Sequence, residues 1–298
     1  MRPILFPLLL LLSACVDTKR ADLDAWTFHS KLNGGMRVER TPLDAPVDRD
    51  LLIRNFRKIA YDVEADPFGT GELGGSPDER PMLKRWEQPV RLHIVLSDGV
   101  PDHDRLDAPA FMRKLAGLAD FELEIVRDLT PRSQSESHPN FIVFMGEGDF
   151  FDETIAGLQY LMESGSADDL EVLDSLLSFL RVWHDSYSPC AGQSYTAHDG
   201  ETDTGVIFFS IVAIRTDLAD PMTQSCIEEE LAQSLGLMND DSSVRPSLFN
   251  DDNEFALMTT HDELLLRILY DARLSAGMTP EQSMPIVRKI AGELLSDG

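Results

Sequence analysis

The most restrictive feature of this 298-residue chain is an uninterrupted apolar run, GVIFFSIVAI, at residues 205–214. A strand that faces solvent on one side alternates between apolar and polar residues, whereas a continuously apolar strand is typical of burial on both faces. The run therefore predicts a strand that is covered on both sides. Residues 90–96, 121–126 and 140–145 predict three further strands, of which the first, VRLHIVL, alternates clearly.

Apolar residues at helical spacing account for most of the remaining sequence. They predict helices at residues 51–62, 108–118, 150–162, 170–183, 262–272 and 279–295, and a central helix with Asp220 as N-cap and Pro221 in the first turn. A few paired strands, one long strand and a closing set of helices favour an α+β domain with a small mixed sheet over a doubly wound sheet.

The central helix carries a motif whose spacing bears on chemistry, Glu229-Glu230-x-x-Gln233-x-x-Gly236-x-x-Asn239. The spacing is similar to that of the zinc-peptidase pattern H-E-x-x-H-x-x-G-x-x-H, with every histidine replaced. In that comparison, Glu229, Gln233 and Asn239 occupy the three ligand positions and Glu230 occupies the position of the general base. The alternative is that both glutamates are ordinary acidic residues on a solvated helix.

The residues at the ligand positions argue against zinc. Zinc sites use imidazole, thiolate and carboxylate ligands, whereas this set offers one carboxylate and two neutral amide oxygens. Oxygen ligands suit Ca²⁺ better, and carboxylates follow nearby at Asp240, Asp241, Asp251 and Asp252. We therefore expect no catalytic metal and no cofactor, with Ca²⁺ as the cation that these oxygens would best suit.

The N-terminus has the features of a lipoprotein signal peptide at residues 1–14. A basic residue precedes a short apolar run, which ends in Leu-Ser-Ala-Cys with the cysteine at position 15. This pattern predicts cleavage before Cys15 and lipid attachment to it, which would anchor the chain to a membrane. We expect the periplasmic side of the cell envelope. Val16 after the cysteine favours the outer membrane over the inner, although Asp17 weakens that preference.

Charge and cysteine content restrict the other partners. The net charge is −26, from 52 acidic and 26 basic residues, which argues against nucleic acid and anionic lipid headgroups as ligands. Besides Cys15, the chain has Cys190 and Cys226, and in an oxidising compartment we expect them to form a disulfide. The alternative is two free, buried cysteines.

The domain organisation follows from polar and glycine-rich stretches. We expect residues 15–48 to be an acylated, flexible tether and residues 49–298 to form one domain. Residues 69–74 formally match G-x-G-x-x-G, but no strand pattern precedes them, so a dinucleotide site is not expected.

His261 and Asp262 are interpreted either as a charge-assisted pair or, preferably, as a helix cap, because an apolar helical stripe follows them.

Several runs resemble a proteobacterial lipoprotein family known as domain of unknown function 2927. They are LIRNFRKIA at 52–60, RWEQP at 85–89, CIEEELAQSLGLMND at 226–240, PSLFND at 246–251, THDELLLRILYD at 260–271 and GMT at 277–279. The resemblance covers about residues 51–295. It implies an envelope lipoprotein without an established activity and a zincin-like domain with a degenerate metal motif, and it provides no catalytic residue.

Three functional hypotheses follow. The first is a non-catalytic, zincin-like domain that binds a peptide, a protein or a cell-wall component, since a peptide cleft can remain after its metal ligands are lost. The second is a hydrolase that uses Glu230, with an oxygen-liganded metal or with none. The third is a purely structural protein of the envelope.

Overall fold

The computed structural model describes residues 18–61, 80–127, 138–164, 170–250 and 252–296. The signal peptide, Cys15 and the G-x-G-x-x-G segment lie outside the described residues, as does Asp251. Among the helices that are described, none combines the length and the apolar character that crossing a membrane would require.

The described residues form eight helices and six strands. The helices are α1 (Thr18–Leu32), α2 (Arg49–Tyr61), α3 (Asp102–Ala119), α4 (Gly148–Ser164), α5 (Leu170–Asp185), α6 (Met222–Gln233), α7 (Thr260–Leu269) and α8 (Pro280–Ser296). The strands are β1 (Arg85–Trp86), β2 (Val90–Leu96), β3 (Leu123–Ile125), β4 (Phe141–Gly146), β5 (Cys190–Asp199) and β6 (Thr202–Arg215).

All six strands belong to one sheet, which is parallel except at one edge. Across the sheet the strands follow the order β5, β6, β4, β2 and β3, and the short β1 pairs with the beginning of β6 on the same side as β4. Only the β5–β6 pair is antiparallel, with Ser194 opposite Ser210. The outermost strand at this edge, β5, has no second partner among the described strands.

Helices cover both faces of the sheet, and each face has its own apolar core. Val212 and Ile214 of β6 pack into the larger core, to which α2, α3, α6, α7 and α8 contribute. Phe209 and Ile211 point to the opposite face and pack against α4 and α5. The burial of β6 on both faces, predicted from its apolar run, is confirmed.

The sheet differs from the small mixed sheet of an α+β domain that we predicted. The chain does mix helices and sheet, but the sheet has six mostly parallel strands and is covered by helices on both faces. The prediction missed β5 because its sequence, CAGQSYTAHD, lacks alternating apolar residues. An edge strand with a partly exposed surface does not need such residues.

Residues 18–48, the described part of the predicted tether, are ordered against the domain, contrary to expectation. The segment begins with α1, and its later residues run beside residues 253–260. Met36 N donates to Asn253 O at 2.8 Å, and Thr260 N donates to Arg40 O at 2.7 Å. The composition suggested a linker, but these hydrogen bonds form with residues more than 200 positions away, which local sequence cannot reveal.

Two predicted helix starts can be compared with the structure. Asp220 is not the cap of α6, because the N-cap position is Pro221 and no side chain caps the helix. At α7, Thr259 is the N-cap, and Asp262 completes a capping box from the third helical position, so Asp262 takes part in capping but is not the N-cap that we predicted. Asp262 Oδ1 also lies 3.2 Å from His261 Nδ1, so a contact between the two side chains exists as well.

Candidate functional site

A groove of about 1570 Å³ lies between the edge strand β5 and helix α6. β5 forms one wall along most of its length, and α6 forms the other. Asp22, Leu23 and Trp26 of α1 also line the groove, and Trp26 is 41% exposed. Sequence analysis missed the walls made by β5 and α1, because neither element was predicted.

The motif helix brings three of the predicted site residues to this groove. Ile227 and Leu231 anchor α6 in the larger core, and both are almost completely buried. Glu229, Glu230 and Gln233 line the groove. The face of α6 that the motif singled out is therefore the face that borders the cavity.

Glu230 lies beside the backbone of β5 because the neighbouring residue is glycine. A Cβ atom added to Gly192 would lie 2.9 Å from Glu230 Oε2 and 3.2 Å from Ser234 Oγ. Only glycine leaves space for the carboxylate at this distance. Glu230 is 7% exposed, so its carboxylate is largely enclosed between α6 and β5.

The third ligand position of the motif, Asn239, lies apart from Glu229 and Gln233. The side chain of Asn239 is 8% exposed and donates from Nδ2 to Lys58 O of α2 at 3.2 Å. Gln233 donates from Nε2 to Asp240 Oδ1 at 3.0 Å. Glu229 and Gln233 thus border the groove while Asn239 binds to the backbone of α2, so the three positions do not converge on one point.

Of the other carboxylates that we associated with the motif, Asp240 stays beside Gln233, whereas Asp241 is engaged elsewhere. Asp241 accepts hydrogen bonds from Lys58 Nζ at 2.9 Å, and hydrogen bonds from Ser243, followed by Lys58, lower the pKa of Asp241. Within the described ranges, no group of three or more His, Cys, Asp or Glu side chains is arranged to hold a metal ion.

A disulfide joins the two walls of the groove. Cys190 at the beginning of β5 and Cys226 in α6 are bonded, with their Cα atoms 5.7 Å apart, so the predicted pairing is confirmed. The bond closes a separation of 36 residues. In the chain-entropy model this contributes about 3–4 kcal/mol to stability. Both cysteines line the cavity, so the bridge fixes the position of the edge strand relative to α6.

The open edge of β5 directs backbone polar groups away from the sheet. Ser210 N donates to Asn140 O beside β4 at 3.0 Å, so the backbone groups of Ser210 point away from its β5 partner, Ser194. In an antiparallel pair these directions alternate along the strand. The N–H and C=O groups of Gly192 and Ser194 therefore face outward, on the side of β5 that has no partner strand among the described residues.

The charged residues that line the groove are mainly acidic. Its carboxylates are Asp22, Glu201, Asp203, Glu229, Glu230 and Asp240, and its basic side chains are Arg80 and Lys84, with His198 also present. Lys84 lies 4.0 Å from Asp203. Six acidic against two basic side chains leave the groove negative overall, and this favours a ligand with positive charge.

A buried polar atom in the β5 wall lacks a protein partner. Gln193 Oε1 is enclosed and accepts no hydrogen bond from the described part of the chain. Leaving such an acceptor unsatisfied costs about 1–3 kcal/mol. Nearby, burial raises the pKa of Tyr195, so its hydroxyl remains protonated at neutral pH.

Comparison with known proteins gives one match. No curated protein and no solved structure matches the sequence. The model of a family described as "Protein of unknown function (DUF2927)" matches residues 49–289, which include β5, α6 and most of the groove. The match extends over most of the chain, and the protein therefore belongs to the DUF2927 family.

Proposed function

We propose that this protein is a lipid-anchored protein of the cell envelope that binds an extended polypeptide segment in the β5–α6 groove without cleaving it. The observation that carries the proposal is the open edge of β5, where Gly192 and Ser194 direct backbone donors and acceptors into a cavity. An extended peptide adds to such an edge by main-chain hydrogen bonds, and neighbouring pockets select its side chains.

Three further features support binding of a peptide. The volume of the groove is larger than a small ligand needs, and its acidic lining favours basic residues. Gln193 Oε1 could accept a hydrogen bond from a ligand. The disulfide holds the edge strand in place, which lowers the entropic cost of binding. The proposal includes two further expectations. The domain is zincin-like, and the protein is anchored on the periplasmic side of the envelope, with the outer membrane preferred over the inner.

The substitution Ser194→Pro should weaken peptide binding at least about fivefold, because it removes one outward-facing N–H group from β5. An edge strand tolerates proline where that N–H group faces away from the sheet. Ser194→Ala is the matched control: both variants lose the hydroxyl that lies 2.7 Å from Ser210 Oγ, but alanine keeps the N–H. The measurement is fluorescence polarisation of a tight binder selected from a labelled octapeptide library, using the purified full chain in neutral detergent.

Equal affinities of the two variants would argue against strand addition. The selected peptide, N-methylated at alternate backbone positions, provides a second test on the unmodified protein and should also bind weakly. The competing hypothesis is a hydrolase, and it has a specific observation in its favour, because Glu230 is enclosed within the cavity. Cleavage of library peptides that is abolished by Glu230→Gln would support the hydrolase and contradict a purely binding role.

The lipid anchor is tested separately. Replacing Cys15 with serine should abolish incorporation of labelled palmitate into the exported protein, because the thiol of Cys15 is the proposed acceptor. Cys190→Ser provides the control and should still be labelled, after correction for protein amount. Unchanged labelling of the Cys15→Ser variant would refute lipid attachment at this residue.

A further inference from the structure

A basic hollow of about 430 Å³ lies between α2 and α8, away from the groove. The two helices run antiparallel: Arg49 at the beginning of α2 donates to Arg288 O in the middle of α8 at 2.9 Å and lies beside Gly292, whereas the end of α2 contacts Ser283 near the beginning of α8. Arg54 and Arg57 line the hollow from α2, and Arg288 lines it from α8. All three side chains are exposed.

The protein makes little use of these three arginines within its own fold. Most arginines in the described part of the chain donate to carboxylates or carbonyls; they include Arg37, Arg40, Arg85, Arg105, Arg215, Arg245 and Arg273. The guanidinium groups of Arg54, Arg57 and Arg288 make no hydrogen bond or ion pair with another described residue. In a chain with a net charge of −26, three such groups around one hollow form a local positive site.

The arrangement fits a phosphate group better than a single carboxylate. One planar guanidinium can satisfy both oxygens of a carboxylate by a bidentate contact. Here, guanidinium groups approach from two opposite walls, which suits an anion with oxygens in several directions. Ile53 and Met284 also line the hollow and provide apolar surface for a carbon skeleton attached to the anion.

Two carboxylates border the same hollow and oppose an anion. They are Asp50 in the first turn of α2 and Glu281 in the first turn of α8. A backbone hydrogen bond within Glu281, then Thr279, and to a smaller extent the charge of Arg57, lower the pKa of Glu281. Glu281 therefore carries its charge at neutral pH and partly offsets the positive site.

We propose that Arg54, Arg57 and Arg288 form a binding site for a phosphate ester, distinct from the peptide groove. The phosphate would lie between the two helices, and the attached carbon atoms would contact Ile53 and Met284. Either a soluble phosphate ester or the headgroup of an anionic phospholipid presents this chemistry. This site is independent of the proposed function, because it shares no lining residue with the β5–α6 groove.

The test is isothermal titration calorimetry of the purified full chain in neutral detergent at low ionic strength, with glycerol 3-phosphate as the probe. We expect saturable binding that Arg54→Gln, Arg57→Gln and Arg288→Gln each weaken about tenfold, in line with the loss of a charge-assisted hydrogen bond. Arg113→Gln on α3 is the matched control: it removes the same charge at an exposed position remote from the hollow and should change nothing.

A variant that binds the ester more tightly distinguishes loss of a binding site from damage to the fold. Glu281→Gln removes the opposing carboxylate and should tighten binding about threefold, which damage to the fold would not produce. Absence of binding, or equal weakening by Arg113→Gln, would overturn the proposal, as would tighter binding of tetraglutamate than of the ester. Micelles with added phosphatidylglycerol or phosphatidylcholine distinguish the two sources of the phosphate. Binding heat with phosphatidylglycerol but not with phosphatidylcholine, lost in Arg54→Gln, supports a lipid headgroup. Binding of glycerol 3-phosphate without binding of either lipid supports a soluble ester.

Discussion

Replacing Gly236 with alanine should destabilise the protein by more than about 4 kcal/mol, which is enough to unfold many domains of this size. Gly236 follows α6 and has φ +114°, a conformation that residues with a side chain rarely adopt. A Cβ atom at this position would lie 1.9 Å from Lys84 O. Because the obstacle is backbone and not a flexible side chain, the chain leaving α6 would have to move away from the segment before β1.

The control for this prediction is another glycine to which the same change is made. Gly117 lies within α3, where an added Cβ meets no atom within 4 Å. Gly117→Ala should stabilise the protein by about 0.5–1 kcal/mol, because it reduces the freedom of the unfolded chain. Urea unfolding followed by circular dichroism measures both variants. If the free energy of unfolding of Gly236→Ala lies within about 1 kcal/mol of that of the unmodified protein, our explanation of the motif glycine is wrong.

The second large effect is expected for Arg40→Ala, which should destabilise the protein by about 3–5 kcal/mol. Arg40 binds Glu228 of α6 through two parallel contacts, Nη2 to Oε1 at 2.6 Å and Nη1 to Oε2 at 2.8 Å. The side chain of Glu228 is only 3% exposed, and Arg40 is the cation that balances its carboxylate, which also accepts from Met258 N. The hydrogen bonds to Glu228 raise the pKa of Arg40, so the guanidinium is charged at neutral pH.

A surface arginine gives the comparison. Arg273 makes short contacts with Asp271 and Glu293, but these groups lie at the surface, where water screens the ion pairs. Arg273→Ala should therefore leave the urea midpoint almost unchanged. Glu228→Gln should fall between the two variants, because the amide can still accept a hydrogen bond from Met258 N, now at 2.9 Å from Glu228 Oε2. Equal effects of Arg40→Ala and Arg273→Ala would show that burial of the Glu228 carboxylate does not make its ion pair more important than a surface pair.

The sequence predicted the apolar part of the fold well. β2 was predicted with its observed bounds, and β6 and α5 differ from the prediction only at their ends. These elements lie in the core, and their burial requires the regular apolar spacing on which the prediction depends. Strand β5 and helix α1 escaped prediction because β5 borders a cavity and only Leu23 and Thr27 of α1 are buried.

The candidate site was predictable only in part, for a related reason. Spacing along one helix was sufficient to place Glu229, Glu230 and Gln233 together, since residues three and four apart share a face. The opposite wall of the groove comes from β5, and its contact with Glu230 depends on Gly192, which has no side chain to suggest a role. Asn239 follows the glycine turn, and its direction is set by the position of α2, which a motif in one segment does not encode.

The contacts of residues 36–48 with the domain bear on where the folded unit of this protein begins. The family match starts at residue 49, yet Arg37 and Arg40 hydrogen-bond to residues 256, 258 and 260 and to Glu228. A recombinant fragment cut at the family boundary would leave the carboxylate of Glu228 buried without its cation, together with several backbone groups without partners. We therefore expect a stably folded fragment to extend upstream of residue 49, and a truncation series designed from the family boundary alone would begin too late.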